Sequence, residues 1–325
     1  MLDLARIEAA REAIAPYVRR TPLERSDTLS RELGCEAWLK LELFQKTGSF
    51  KPRGAFAQLL EVLPEARERG AVAMSGGNFA QGAAYAAREL GVRCGVLMPE
   101  ATPPNYLEAT RGYGAEVELV PGMPAMFERF ERYREGGQVA LHPFAPESMM
   151  AGNGSLGLEI AEDLPGVTDV VVSIGGGGLF GGVATAVMGR LPSARLWGVE
   201  TEGADVMSRS LAAGRPVDIT PTSLAHTLGA PTTCQLAMDV VRRLGQDVLV
   251  VSDADAYRGT RFLLERAKVS AELAAGCTVA AARRLRREGR IGDDARIVLV
   301  ICGGNVDLAT LCEYRGRFER GVSLG

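Results

Sequence analysis

The chain has 325 residues, 46% of them hydrophobic and 24% charged, and its formal net charge is −3. A chain of this length usually divides its core between two lobes, and its mixed charges leave no electrostatic footprint for nucleic acid or an anionic membrane. No apolar run is long enough to cross a bilayer, and the amphipathic opening, residues 1–20, mixes acids with arginines, unlike a signal or transit peptide. We therefore predict a folded cytoplasmic protein.

The predicted elements after this first helix follow an alternating strand and helix rhythm. Apolar runs that predict strands cover residues 71–77, 92–99, 115–121, 169–174, 194–200 and 296–301. Helical apolar spacing occurs at residues 78–90, 103–114, 175–191 and 302–316. Such alternation predicts an α/β fold of two three-layer α/β/α lobes with mostly parallel sheets. We expect a small inserted α/β lobe at residues 68–146 and a large lobe formed by residues 1–67 and 147–325.

Cysteine and histidine usage limits the chemistry. The six cysteines contain no C-x-x-C pair, which argues against a zinc site and a disulfide framework. The two histidines, His142 and His226, restrict mechanisms that need imidazole bases or histidine-rich metal sites. We interpret both histidines as loop or strand-end residues.

Three predicted strands run directly into glycine-rich turns that open helices, at residues 74–78, 173–182 and 301–305. Ligands bind beyond the carboxyl ends of parallel strands, where glycine admits close backbone approach and a helix N-terminus attracts anions. A single such turn is equally consistent with tight packing, but three favour a ligand. The four glycines Gly175–Gly178 are predicted to form a phosphate cradle.

A nicotinamide-dependent dehydrogenase is the first alternative. Gly176, Gly178 and Gly181 satisfy G-x-G-x-x-G after a strand, and Glu200 ends the next strand where a ribose-binding acid is expected. This alternative leaves Lys51 and the other two glycine turns without a role.

Lys51 lies in the run KTGSFKPRG, between Phe50 and Pro52. A lysine is usually a solvated surface charge, but one that is buried against apolar walls becomes nucleophilic near neutral pH and can form a Schiff base with an aldehyde. An aldehyde cofactor that carries a phosphate would use both Lys51 and a glycine cradle. That cofactor is pyridoxal 5'-phosphate.

Nearly the whole chain, from "TPLERSDTLS" through "LKLELFQKTGSFKPRGA", "SGGNFAQGAAYAARELG" and "VVVSIGGGGLFGGVA" to "CGGN", resembles fold type II pyridoxal-phosphate enzymes, which are tryptophan synthase β-like. Within them it is similar to the serine/threonine dehydratase and serine racemase group. The resemblance implies that the cofactor-binding residues are Phe50, Lys51, Asn78, Gly175, Gly176, Gly177, Gly178 and Cys302, with Lys51 catalytic. It implies that the substrate-binding residues are Ser75, Gly76, Gly77 and Asn78.

The same resemblance implies a role for each group. Lys51 would form the Schiff base and remove the Cα proton, Asn78 would contact the phenolic oxygen, and Cys302 would lie beside the pyridine nitrogen. A neutral thiol is a weaker partner for that nitrogen than a carboxylate, which suits loss of a β-hydroxyl as water over transamination. The expected products are a 2-keto acid and ammonia.

Three departures from the group's pattern shape the expectations. Racemases of the group have a serine at the position of Gly76, so we expect dehydration to dominate over racemisation. A usual histidine is replaced by Phe79, which we also interpret as a core aromatic. Relatives that bind a divalent cation have an acid at the position of Val206, so we expect no metal site beside Glu200, which we interpret as a strand-end surface acid.

The favoured function is a lyase that acts on L-threonine or L-serine. The alternatives are a hydroxyaspartate dehydratase, a serine racemase-like enzyme, a β-replacement synthase and a non-catalytic binder of pyridoxal phosphate or amino acids. The resemblance further implies a homodimer. Because the chain stops about twenty residues after the CGGN turn, we expect it to lack the regulatory domain that biosynthetic threonine dehydratases of this family carry. Arg53 could approach the cofactor, but we interpret it as a solvated charge.

Overall fold

The fold is given by a computed structural model that describes residues 2–319. Its strands are β1 (Leu23–Arg25), β2 (Glu36–Lys40), β3 (Ala71–Met74), β4 (Cys94–Pro99), β5 (Glu116–Val120), β6 (Val139–Leu141), β7 (Asp169–Ser173), β8 (Arg195–Thr201), β9 (Gly245–Val251) and β10 (Arg296–Val300). Its helices are α1 (Leu4–Ile14), α2 (Asp27–Leu33), α3 (Lys51–Glu61), α4 (Leu63–Arg69), α5 (Asn78–Glu89), α6 (Pro104–Gly112), α7 (Met123–Glu135), α8 (Glu147–Asp163), α9 (Gly178–Arg190), α10 (Val206–Ala213), α11 (Gln235–Leu244), α12 (Asp253–Phe262), α13 (Leu273–Arg287) and α14 (Leu308–Phe318).

The strands form two separate sheets. The six-stranded sheet has the order β1-β2-β10-β7-β8-β9, and the four-stranded sheet has the order β5-β4-β3-β6. Among the strands of residues 2–319, only the short β1 pairs antiparallel to its neighbour, and all other strand pairs are parallel. The predicted α/β fold with mostly parallel sheets is confirmed.

The four-stranded sheet uses residues between Ala71 and Leu141. This span falls inside the range 68–146 that we assign to the small lobe, and the domain division itself remains a proposal. The sequence patterns identified β3, β4 and β5 of this sheet and β7, β8 and β10 of the larger one. They did not identify β1, β2, β6 and β9, of which β1 and β6 have three residues each.

Helices α8 and α9 pack backbone to backbone. A Cβ added at Gly182 would lie 2.1 Å from the carbonyl oxygen of Met150 and 2.5 Å from the amide nitrogen of Gly154. Real Cβ atoms essentially never come this close to backbone atoms, so the crossing requires glycine at position 182. The close crossing fixes the start of α9, which carries the glycine row, against the chain that leads into α8.

The third predicted glycine turn differs from its prediction. After β10 the chain does not open a helix at the glycines, and α14 begins only at Leu308, where the Asp307 side chain accepts from the amide of Thr310. Residues 301–304 instead bond to the segment before α3: the amide of Phe50 donates to the Cys302 carbonyl, and Ser49 bridges Gly303. This pairing competes with helix formation and brings Cys302 close to Phe50.

Candidate active site

Lys51 is the first residue of α3, and Pro52 occupies the next position, where a missing amide hydrogen has no helical partner to lose. Its Nζ donates to the Pro143 carbonyl oxygen at 3.1 Å. The rings of Phe50 and Phe79 have their centroids 5.0 Å and 5.7 Å from the same nitrogen. The amine of this partly buried residue therefore lies against two aromatic rings and one backbone acceptor.

Burial lowers the pKa of Lys51 to about 8, although the nearby Cys302 and Glu272 act in the opposite direction. The cause is desolvation, which disfavours the ammonium form. A lysine with this pKa has a substantial fraction of neutral, nucleophilic amine at neutral pH. Lys51 therefore differs from the fully solvated lysine that is usual at protein surfaces, and its catalytic role remains a prediction.

The interpretation of Arg53 as a solvated charge is wrong. Arg53 is 1% exposed, and its guanidinium donates to Glu42 at 2.9 Å and to Glu159 at 2.7 Å. Lys40, which is 0% exposed, donates to the same Glu159 at 2.6 Å. Two cations and two anions thus form a neutral buried cluster that joins β2, α3 and α8.

The glycine row lies where β7 gives way to α9. Gly177 has φ +97°, in the left-handed region, and Gly178 begins the helix. The Gly176 carbonyl accepts from Thr233 Oγ1 at 3.0 Å and the Gly178 carbonyl accepts from Asn153 Nδ2 at 3.3 Å. These two carbonyls thus have partners within the protein. The amides of the turn and of the first residues of α9 are the groups that can face an anion.

Phe144 explains part of the glycine requirement and was not identified from the sequence. A Cβ at Gly176 would lie 2.2 Å from the Phe144 ring, and one at Gly178 would lie 2.9 Å from the Phe144 carbonyl oxygen. Packing on Phe144 therefore demands glycine at two of the four positions, whatever the row binds. Since Phe144 follows Pro143, the same turn contacts Lys51 and the glycine row.

His142 organises that turn. Its Nδ1 accepts from the amides of Phe144 and Ala145 at 3.3 Å and 3.0 Å, and Gln58 bonds both backbone groups of His142. Burial, with the charge of Lys51, lowers the pKa of His142 to about 4, so the imidazole is neutral at pH 7. His142 lies at a strand end as expected and also shapes the turn beneath Lys51.

Cys302 is buried after β10, with its Sγ 4.0 Å from Ser173 Oγ. Burial raises the pKa of the thiol far above its usual value, and the charge of Glu272 adds to this effect. The side chain is therefore a neutral thiol over the whole physiological range.

The loop Ser75–Asn78 connects β3 to α5. The Gly77 amide donates to Ser75 Oγ at 3.1 Å. A Cβ at Gly76 would lie 3.0 Å from Thr102 Oγ1 and 3.1 Å from Pro99, so these two residues closely border position 76. A serine at this position would require them to shift by a few tenths of an ångström.

Glu272, a buried carboxylate that bonds to Asn78, was not identified from the sequence. Asn78 Nδ2 donates to the Glu272 carboxylate at 2.9 Å and 3.1 Å, and Asn305 Nδ2 donates to Asn78 Oδ1 at 2.8 Å. Thr227 Oγ1 donates to Glu272 at 2.6 Å. Glu272 lies 194 positions from Asn78 in the chain, and a lone acid before an alanine-rich helix carries no local signal of this contact.

Glu200 is not the surface acid that we expected. It is 0% exposed, and its carboxylate accepts from the amides of Met207 and Ser208, both at 2.8 Å, and from Ser208 Oγ at 2.7 Å. These bonds close the N-terminus of α10, whose preceding residue, Asp205, makes no side-chain cap. Burial raises the pKa of Glu200 to about 7 despite the hydrogen bonds from Ser208 and Met207.

Between residues 2 and 319, no three histidine, cysteine, aspartate or glutamate side chains cluster in a way that could hold a metal ion. The expectation that no divalent cation binds beside Glu200 stays a prediction. Over the same residues, no helix is long and apolar enough to cross a membrane.

Residues 14–303 match the family described as pyridoxal-phosphate dependent enzyme. Among curated proteins, the L-threonine ammonia-lyase of Thermotoga maritima is 39% identical over 95% of this chain and 77% of its own length.

Two solved structures share the fold over nearly the whole length of both chains. Maize serine racemase superposes with a TM-score of 0.91 at 31% identity, covering 98% of each chain. The T.th. threonine deaminase gives a TM-score of 0.85 at 36% identity, covering 94% of this chain and 99% of the other.

Proposed function

Because the chain belongs to the family of pyridoxal-phosphate-dependent enzymes, we propose that it is a lyase that converts L-threonine or L-serine into a 2-keto acid and ammonia. The resemblance drawn from the motifs and the identity of the cofactor are thereby confirmed. The substrate class rests on the relatives named threonine ammonia-lyase and threonine deaminase. The single observation that carries the proposal is the desolvated Lys51 amine, which lies beside the same turn as the glycine row.

The residues present fit this cofactor. An aldehyde needs a lysine that is partly neutral, and Lys51 has a pKa of about 8. A phosphate is bound by backbone amides that no side chain covers. The glycine turn offers such amides, because Gly177 has a left-handed φ and the turn opens α9. The protonation of a pyridine nitrogen depends on the charge of the group beside it, and Cys302 is a neutral thiol.

When bound, the cofactor supplies the aldehyde for a covalent link to an amine and the ring that makes the Cα proton of a linked amino acid acidic. Lys51 would hold the aldehyde through its Nζ, and the same amine, when free, would accept the Cα proton. Phe50 and Phe79 flank this nitrogen, and the Pro143 carbonyl orients it. Loss of the Cα proton and of the β-hydroxyl would together remove one water from the substrate, and hydrolysis of the released enamine would give the keto acid and ammonia.

We assign the remaining contacts to cofactor and substrate from the motif resemblance. Gly175–Gly178 would hold the phosphate, the amides of Ser75–Asn78 would hold the substrate carboxylate, and Asn78 would contact the ring hydroxyl. Cys302 would face the ring nitrogen without giving it a charge, which favours elimination of the β-substituent over transamination.

Racemisation is disfavoured because position 76 is a glycine. A proton donor on the face opposite Lys51 would need a side chain at position 76, and Gly76 has none. We therefore infer that elimination exceeds racemisation on L-serine.

We further propose a small domain of residues 68–146, a large domain of residues 1–67 and 147–325, a homodimeric assembly and a cytoplasmic location. The four-stranded sheet between Ala71 and Leu141 supports the domain division. Light scattering of the purified protein tests the dimer, and a monomer mass would contradict it.

Keto acid and ammonia release tests the function. The cofactor-loaded protein is mixed with L-threonine, L-serine and L-threo-3-hydroxyaspartate in turn, and keto acid, ammonia and D-serine are measured. We expect keto acid and ammonia in equal amounts from threonine or serine, with D-serine a minor product. Turnover only after sulfide is added would indicate a β-replacement synthase, and a spectral change without any product would indicate a binder.

A further inference from the structure

Both ends of the Asn78 amide are held by protein groups. Its Oδ1 accepts from Asn305 Nδ2, which also donates to the Thr47 carbonyl at 2.7 Å. Its Nδ2 donates to the Glu272 carboxylate. The acceptor end of the amide is therefore occupied by a donor that is itself fixed, and the amide cannot turn over without losing contacts at both ends.

One N–H of Asn78 remains unassigned. The two oxygens of a single carboxylate are too close together to take one hydrogen each from the same NH₂ group, so Glu272 uses one hydrogen of Nδ2 in a shared bond. The second hydrogen is directed away from Glu272. Asn78 thus keeps one N–H that can donate to a ligand.

Glu272 is well suited to fix this orientation. It is 5% exposed and accepts from three residues: Asn78, Thr227 and the amide of Asn305 at 2.9 Å. A Cβ at Gly303 would lie 2.8 Å from Glu272 Oε1, so the glycine turn after β10 is packed directly against the carboxylate. Every contact made by the carboxylate is one in which it accepts.

We propose that Glu272 is a positioning residue that, together with Asn305, holds the Asn78 amide so that its free N–H donates to the ring hydroxyl oxygen of the cofactor. This inference rests on the proposed function and adds to it Glu272, which lies outside the motifs, and Asn305, the last residue of the CGGN motif. The role needs an acceptor at position 272 and does not need its charge. A glutamine can fill it, because its oxygen can accept from Asn78 and Asn305 while its NH₂ donates to the Thr227 hydroxyl.

The experiment measures equilibrium binding of two cofactors to wild-type protein, Glu272→Leu and Glu272→Gln. The probes are pyridoxal phosphate and its analogue that lacks the ring hydroxyl. We expect Glu272→Leu to weaken pyridoxal phosphate binding roughly tenfold, about the value of one buried hydrogen bond, and to leave analogue binding nearly unchanged. Glu272→Gln should bind both probes like the wild type. Glu265→Gln, an exposed acid outside the site, is the matched control.

A merely structural role predicts a different pattern. Equal weakening for both probes, no weakening for either, or a Glu272→Gln variant as weak as Glu272→Leu would overturn the inference. If Glu272→Leu does not fold, Asn305→Ala takes its place, because it removes the donor to Asn78 Oδ1 and should weaken pyridoxal phosphate binding but not analogue binding. Unchanged pyridoxal phosphate binding by Asn305→Ala would likewise overturn the inference. Failure of the wild type to bind pyridoxal phosphate would instead refute the proposed function.

Discussion

The neutral fraction of Lys51 connects the structure to reactivity at the residue scale. Its amine is desolvated between Phe50 and Phe79, and its pKa is about 8 instead of the ordinary 10.5. The amine that attacks an aldehyde is the deprotonated one. The pH at which the protein takes up its cofactor therefore reports directly on this burial.

We predict that the rate of pyridoxal phosphate attachment to the cofactor-free protein rises about tenfold per pH unit below pH 8 and levels off above it. Stopped-flow absorbance between pH 6 and 10 measures this, with free lysine as the reference for an unburied amine. A rate that keeps rising up to pH 10 would show that Lys51 has an ordinary pKa.

Residues of the site differ in how far the sequence reveals them. Lys51, Cys302 and the glycine row stand in local motifs, and the family resemblance that these motifs carry singles them out. Glu272 meets Asn78 only through the tertiary fold, and the burial of Arg53 depends on Glu42 and Glu159, which its own neighbours in sequence do not reveal. Contacts that depend on distant chain segments leave no periodic or spacing signal.

At the scale of elements, the α8 and α9 crossing sets the position of the glycine row. We predict that Gly182→Ala destabilises the protein by several kcal/mol, because its Cβ would overlap backbone atoms of Met150 and Gly154 that cannot move separately. Gly316→Ala in α14 is the matched control: among residues 2–319, no atom lies within 4 Å of its added Cβ, and alanine there should stabilise by up to about 1 kcal/mol. Urea unfolding measures both changes.

Phe144 and Gly176 form a second packing pair at this scale. We expect Gly176→Ala to weaken cofactor binding and lower the unfolding midpoint, because the new methyl group would overlap the Phe144 ring. The double variant Gly176→Ala with Phe144→Ala should recover part of the midpoint that each single change loses. Strictly additive losses in thermal unfolding would mean that the two residues do not share this space.

Strands and helices with strong periodicity were predictable, and the exceptions have physical reasons. Strands β1 and β6 are three residues long, too short for a pattern to emerge. The turn at Gly303 resembles the other two glycine turns, but its backbone pairs with Ser49 instead of opening a helix. Tertiary pairing overrode the local signal at that point.

At the scale of the whole molecule, the cluster of Lys40, Glu42, Arg53 and Glu159 ties separate parts of the chain together. Burial by itself would raise the pKa of Glu159, but the charges of Arg53 and Lys40 hold it below its usual value. A depressed carboxylate pKa contributes stability above the unfolded pKa of about 4.3, and this contribution is lost as the pH falls through the folded value.

We predict that Glu159→Gln costs about 3 to 5 kcal/mol of unfolding free energy at pH 7, because it leaves Arg53 and Lys40 without their shared anion. The difference from wild type should shrink below about pH 4. Glu162→Gln, a more exposed acid on the same helix, is the control and should cost about 1 kcal/mol or less. A pH-independent difference for Glu159→Gln would rule out an ionic role.

The central claim is that Lys51 holds pyridoxal phosphate and drives elimination from a hydroxyamino acid. The most direct measurement is borohydride reduction of the yellow, cofactor-loaded protein, followed by peptide mapping and by keto acid assay with L-threonine. The chain has four lysines, so the modified one is identified without ambiguity. We predict that the label lies on Lys51, that Lys51→Ala is colourless and inactive, and that the neighbouring control Lys46→Ala retains both properties. A label on another lysine, or turnover by Lys51→Ala, would contradict the account.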